Sequence, residues 1–81
     1  MLFLDYQDRR PIYEQIVEKF RMLILSGVME PSSKMPSVRQ LAMELSINPN
    51  TIQRAYMELE QQGLIYPVKG KGSFVTDSSR I

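Results

Sequence analysis

Between Ser37 and Gly63 the chain collects side chains suited to reading a patterned, charged polymer. Asn48, Asn50, Thr51, Gln53 and Arg54 fall close together, with Ser37 and Arg39 shortly before them. Arginine can donate to two acceptors of guanine at once, and asparagine or glutamine can pair with adenine. Arg54, Asn50 and Gln53 are therefore candidates for base edges. Downstream, Lys69-Gly70-Lys71-Gly72 joins two cations to two glycines. The cations suit phosphate, and the glycines let backbone approach closely.

Other chemistries are poorly supplied. The 81 residues contain no cysteine, which removes disulfides and thiolate metal sites. They contain no histidine, the commonest general base and metal ligand. No constellation of nucleophile, base and oxyanion donor is visible, so no enzyme is expected, and no cofactor or metal. No apolar run approaches a membrane span, and Met1-Leu2-Phe3-Leu4 meets Asp5 at once, unlike a signal peptide. No membrane partner is expected, and the cytoplasm is the default location. Net charge is only +1. Binding to a polyanion then requires charge gathered on one side. The bases Lys34, Arg39, Arg54, Lys69 and Lys71 outnumber the acids Glu44, Glu58 and Glu60 over the same span. Asp5, Asp8, Glu14, Glu18 and Glu30 fall within the first 30 residues instead.

The elements that must position these side chains follow from periodicity. Hydrophobic content of 43% supports one packed domain with a modest core. Residues 1–10 read as a polar arm with an apolar patch at Leu2 to Leu4. A domain over 11–76 and a fraying tail over 77–81 follow. Pro11 suits the first turn of a helix. Ile12, Tyr13, Ile16, Val17, Phe20, Leu23 and Ile24 then form an apolar stripe, and Gly27 ends the helix. This helix is expected to be scaffold. Val28 to Met35 reads as a connector.

Ser37 and Gln40 have the spacing of a capping box for a short second helix. Val38, Leu41, Ala42 and Leu45 form its buried face, with Arg39, Gln40, Met43 and Glu44 outside. Ser46 and Ile47 make the turn, and a left-handed residue there costs serine on the order of 1 kcal/mol. Asn48 can cap the third helix and Pro49 can open it. Ile52, Ala55, Tyr56 and Leu59 face inward; Asn50, Arg54, Met57 and Gln61 fall opposite, with Gln53 beside them. Gly63 closes the helix. Leu64 to Val68 and Ser73 to Thr76 then flank a glycine-rich turn as a hairpin, with Pro67 confining its strand to an edge.

The predicted fold is mostly α with a small β-hairpin: a winged helix-turn-helix of three helices and a wing. In this plan the third helix enters the major groove and the wing lies against the backbone or minor groove. Ser37, Arg39, Asn48 and Thr51 cluster at two helix starts, where free N–H groups favour phosphate. Each assignment has a plainer reading beside it. A polar outer face occurs on any solvated helix, Ser37 and Asn48 are ordinary caps, Arg39 is a typical surface charge, and the lysine-glycine turn is a common hairpin turn.

The combination of motifs narrows the choice. Pro11-Ile-Tyr-Glu-Gln-Ile16, Leu25-Ser-Gly27 and Met35-Pro-Ser-Val-Arg-Gln-Leu-Ala42 come first. Asn50-Thr-Ile-Gln-Arg-Ala-Tyr56, Leu59-Glu60, Gly63-Leu-Ile65 and Gly70-Lys-Gly-Ser-Phe-Val75 follow. Over residues 10–76 the chain resembles the GntR family of bacterial transcription regulators, and Asn48-Pro-Asn-Thr51 resembles its small YtrA-type branch. The resemblance implies a double-stranded DNA operator as partner and usually repression. It implies DNA contact at Arg39, Asn48, Asn50, Thr51, Gln53 or Arg54, and Gly70. Pro49 departs from the basic or small polar residue common in the family, and Ser46 from its frequent turn glycine. Family members continue into an effector or dimerisation segment, so a homodimer formed through residues beyond 81 is expected. A single module covers only about 600–1,000 Å² of protein surface on DNA, which favours such pairing. The competing reading is a winged helix that binds protein, using exposed Met57 and Tyr66.

Overall fold

The computed structural model describes residues 4–77. Three helices precede one antiparallel hairpin: α1 Ile12–Leu25, α2 Val38–Leu45, α3 Pro49–Gln61, β1 Ile65–Val68 and β2 Gly72–Val75. This is the winged helix-turn-helix that the pattern predicts. Among the described residues no helix is long and apolar enough to cross a membrane. The apolar patch expected at Leu2 to Leu4 lies outside the described residues except for Leu4, which packs on the core. The expected tail lies outside them beyond Asp77.

Each helix has an identifiable beginning. Pro11 stands just before α1, and its carbonyl accepts from the N–H groups of Glu14 at 3.1 Å and Gln15 at 3.3 Å. Ser37 Oγ accepts from the Gln40 N–H at 3.0 Å. The expected capping box is only half made, because Gln40 Nε2 turns along the helix to Glu44 Oε1 at 3.4 Å. Asn48 Oδ1 accepts from the Asn50 N–H at 2.8 Å, with Pro49 opening α3. These caps satisfy donors that a helix start cannot satisfy internally.

The turn between α2 and α3 rests on Ser46, at φ 54° and ψ 45°. The left-handed residue that the turn requires is therefore a serine. The Ile47 N–H closes the turn on the Ala42 carbonyl at 3.0 Å.

The core lies where α1 and α3 cross and where the wing meets them. Ile16, Ile24, Leu41, Ile52, Leu59, Leu64 and Val75 are fully buried. Phe20 meets Tyr56 edge to face, with ring centroids 6.0 Å apart. The Tyr56 hydroxyl donates to the Pro36 carbonyl at 2.6 Å, satisfying a polar group that burial would otherwise penalise. Burial also pushes the phenol pKa well above its ordinary value, so the donor proton stays in place.

Two features depart from the sequence reading. The stretch taken as a connector pairs with β2. Ser32 N–H donates to the Val75 carbonyl at 2.8 Å, Val75 N–H to Ser33 at 2.9 Å, and Met35 N–H to Ser73 at 2.8 Å. Lys34 thus bridges to Phe74, and Met35 is buried beside it. This leaves β1 at the hairpin's outer edge, where Pro67 is tolerated. The second feature is Gln15, a buried polar residue on α1. Its Oε1 accepts from the Asp5 N–H at 2.9 Å, and its Nε2 donates to the carbonyls of Asp5 at 2.9 Å and Arg10 at 3.2 Å. One amide side chain ties the arm to the first helix.

Candidate nucleic-acid interface

The start of α2 is tied to α3 by the bond from the Tyr56 hydroxyl to the carbonyl just before Ser37. Two residues before that carbonyl, Lys34 joins the wing strand. Chain connectivity therefore sets the beginning of α2, one flank of α3 and the base of the wing next to one another. Ser37, Arg39, Asn48, Asn50, Gln53, Arg54, Lys69, Gly70 and Lys71 are all exposed, and Thr51 is half-buried. None of the candidates is consumed by the core.

At the helix starts, capping and ligand binding compete for different atoms. Ser37 and Asn48 use their side-chain oxygens on backbone N–H groups of their own helices. What remains is the partial positive charge of each helix start, with Arg39 and Thr51 close by in sequence. The first turns of α2 and α3 contain no acid. A phosphate approaching either start meets no carboxylate there.

The wing turn is shaped by its glycines. The Lys71 N–H donates to the Val68 carbonyl at 2.9 Å across a four-residue turn whose third residue, Gly70, has φ +79°. Such a turn calls for glycine at that position. Lys69 and Lys71 flank it, both exposed. At Gly72 a Cβ would sit 3.2 Å from Lys34 Cε. The Lys34 stem thus lies against Gly72, the residue after Lys71, and adds a cation at the base of the wing. The sequence reading left Lys34 out of the site. The one signal in the sequence is Met35, an apolar residue beside Lys34 in the connector.

Arg54 is placed differently from the other candidates. Its Nη2 donates to the Tyr13 hydroxyl at 3.2 Å, and its Cζ lies 3.9 Å from the centre of the Tyr13 ring. Tyr13 belongs to α1, so Arg54 lies over the seam between α1 and α3. Tyr13, Arg54, Met57, Glu58 and Gln61 line a shallow groove of about 230 Å³ on that side. Tyr13 was read only as part of the core stripe.

With this geometry in hand, residues 12–75 match the family described as "Bacterial regulatory proteins, gntR family". The chain belongs to the GntR family. It is 41% identical over 80 residues to the HTH-type transcriptional repressor YtrA of Bacillus subtilis (strain 168), covering 99% of this chain and 62% of that protein. The chain thus spans about three fifths of that relative's length. Among solved structures, YtrA from Sulfolobus acidocaldarius, a GntR-family transcription factor, superposes with a TM-score of 0.86 at 35% identity. The superposition covers 93% of this chain and 79% of that one. AraR(DBD) in complex with operator ORR3 superposes with a TM-score of 0.78 at 33% identity, covering 94% and 95% of the two chains. The GntR winged helix is therefore common to this chain and to a domain solved on an operator.

Proposed function

We propose that this GntR chain is the DNA-binding part of a bacterial transcription regulator, a repressor that acts in the cytoplasm on a two-fold operator. It has no enzymatic role in this reading. The observation that carries it is the Tyr56 bond to Pro36 together with the Lys34 bridge to the wing. These contacts support a reading in which two acid-free helix starts, the two wing lysines and Lys34 act together beside α3. Asn50 and Gln53 on that helix are the base readers, while Arg54, the third candidate for a base edge, is turned onto Tyr13. The starts of α2 and α3, with Ser37, Arg39, Asn48 and Thr51, receive phosphates. Lys69, Gly70 and Lys71 contact the neighbouring backbone, with Lys34 behind them. The relationship to AraR(DBD), solved on an operator, supports the same reading.

Affinity follows from charge. A net charge of +1 and a handful of phosphate contacts make one copy a weak binder at physiological salt. Two copies joined on a palindrome gain through effective concentration, so the regulator works as a homodimer assembled through residues beyond 81. A fluorescence-anisotropy titration at several salt concentrations tests the reading, using duplexes recovered by this chain from a random pool. The expected result is selective binding that weakens steeply with salt. Equal binding to selected and scrambled duplexes, or none at low salt, contradicts it.

A further inference from the structure

The order of residues around α3 shows which flank meets a duplex. At about 100° per residue, Gln53 stands about 60° round the helix from Tyr56, Asn50 about 120° and Arg54 about 160°, all in the same sense. Tyr56 marks the α2 flank, because its hydroxyl reaches Pro36. Arg54 marks the α1 flank, because its guanidinium covers the Tyr13 ring. Gln53 is thus nearest the start of α2 and the wing, Asn50 lies between, and Arg54 is farthest. Glu58 lines the same groove as Arg54, so that side carries a carboxylate.

We propose that Tyr13 is a positioning residue that holds Arg54 outside the duplex footprint, leaving base discrimination to Asn50 and Gln53. The ring face takes the guanidinium by cation–π attraction, and the hydroxyl accepts one of its N–H groups. To reach a base edge, Arg54 has to leave both. A residue of the scaffold helix thereby sets which side chains of the reading helix are available. This rests on the DNA-binding reading given above.

The test compares the parent with Arg54→Ala, Tyr13→Phe, Tyr13→Leu and the Tyr13→Leu/Arg54→Ala pair. Each is titrated over salt against the selected duplex and against poly(dA-dT). Arg54→Ala is expected to keep the parent's base preference and salt slope. Tyr13→Phe keeps the ring face and behaves likewise. Tyr13→Leu releases Arg54, and its salt slope steepens by about 0.9, the value of one added phosphate contact. That increment disappears in the double variant, which a loss of packing alone does not produce. Loss of slope or base preference in Arg54→Ala alone overturns the proposal, as does an unchanged slope in Tyr13→Leu.

If Tyr13→Leu does not fold, the parent still decides the matter. With its Cζ 3.9 Å from the Tyr13 ring centre, Arg54 is expected to show side-chain protons shifted upfield by the ring current in the parent's NMR spectrum. The shift is expected to survive saturation with the selected duplex, and its collapse on DNA overturns the proposal. A parent that binds no duplex defeats the functional reading first, before any variant is made.

Discussion

The two flanks of α3 differ in what they are built from. On the α1 side, Ile52, Ala55 and Leu59 are fully buried against the scaffold, and Arg54 is folded back onto Tyr13. On the α2 side, Tyr56 is buried against Phe20 and bonds to Pro36, and beyond it Gln53 and Asn50 stand in solvent. The first flank is rich in apolar contact and supplies stability. Beyond Tyr56, the second leaves exposed donors and acceptors on Gln53 and Asn50. Under the proposed function, one short helix would serve fold and recognition with largely separate residues. This makes the two roles separable by substitution.

The largest effect is expected on the scaffold flank. Ile52→Ala empties a fully buried site and should destabilise by about 2–5 kcal/mol in chemical denaturation. A loss under 1 kcal/mol, well below that range, would mean that the α1–α3 seam is not the stabilising side.

On the other flank, Tyr56→Phe removes the donor to Pro36 and should cost about 1 kcal/mol. Its pH dependence sharpens the point. Because burial raises the phenol pKa, its contribution is fully present below the ordinary value of 10.0 and is lost as pH rises through the folded value. The parent should therefore lose stability in alkali more steeply than Tyr56→Phe, as read from denaturation midpoints across pH.

The turn joining the two helices offers a gain. Ser46→Gly relieves the left-handed strain at φ 54° and should raise stability by up to about 1 kcal/mol, with binding unchanged. The smallest expected change in stability is at the wing. Lys69→Ala and Lys71→Ala should each shift stability by less than about 0.5 kcal/mol. Each should also flatten the DNA salt slope by about 0.9, and for selected and scrambled duplexes alike.

Most of the scaffold was legible because it is periodic. The stripe from Ile12 to Ile24, the caps at Ser37 and Asn48, and the glycine-marked wing are local patterns with local causes. What was hidden depends on neighbours distant in sequence. Gln15 looks like an exposed polar residue until the arm folds back to receive its amide. Lys34 lies in a segment too short for strand periodicity, and only β2 turns it into a bridge. The second half of the capping box failed because Glu44 offered Gln40 a partner on its own helix. For the candidate site, the helical angle correctly put Arg54 on the exposed surface. It carried no information about which flank α1 would occupy, so the stack on Tyr13 was invisible.

The proposed division of roles is that the exposed α2 flank of α3 reads sequence while contributing little to folding. It is tested most directly by Gln53→Ala, comparing affinity for the selected duplex with affinity for its single-base variants, alongside the thermal midpoint. The account predicts an unchanged midpoint and loss of discrimination at one base-pair position, worth about 1–3 kcal/mol. Undiminished discrimination at every position in a folded Gln53→Ala variant contradicts it.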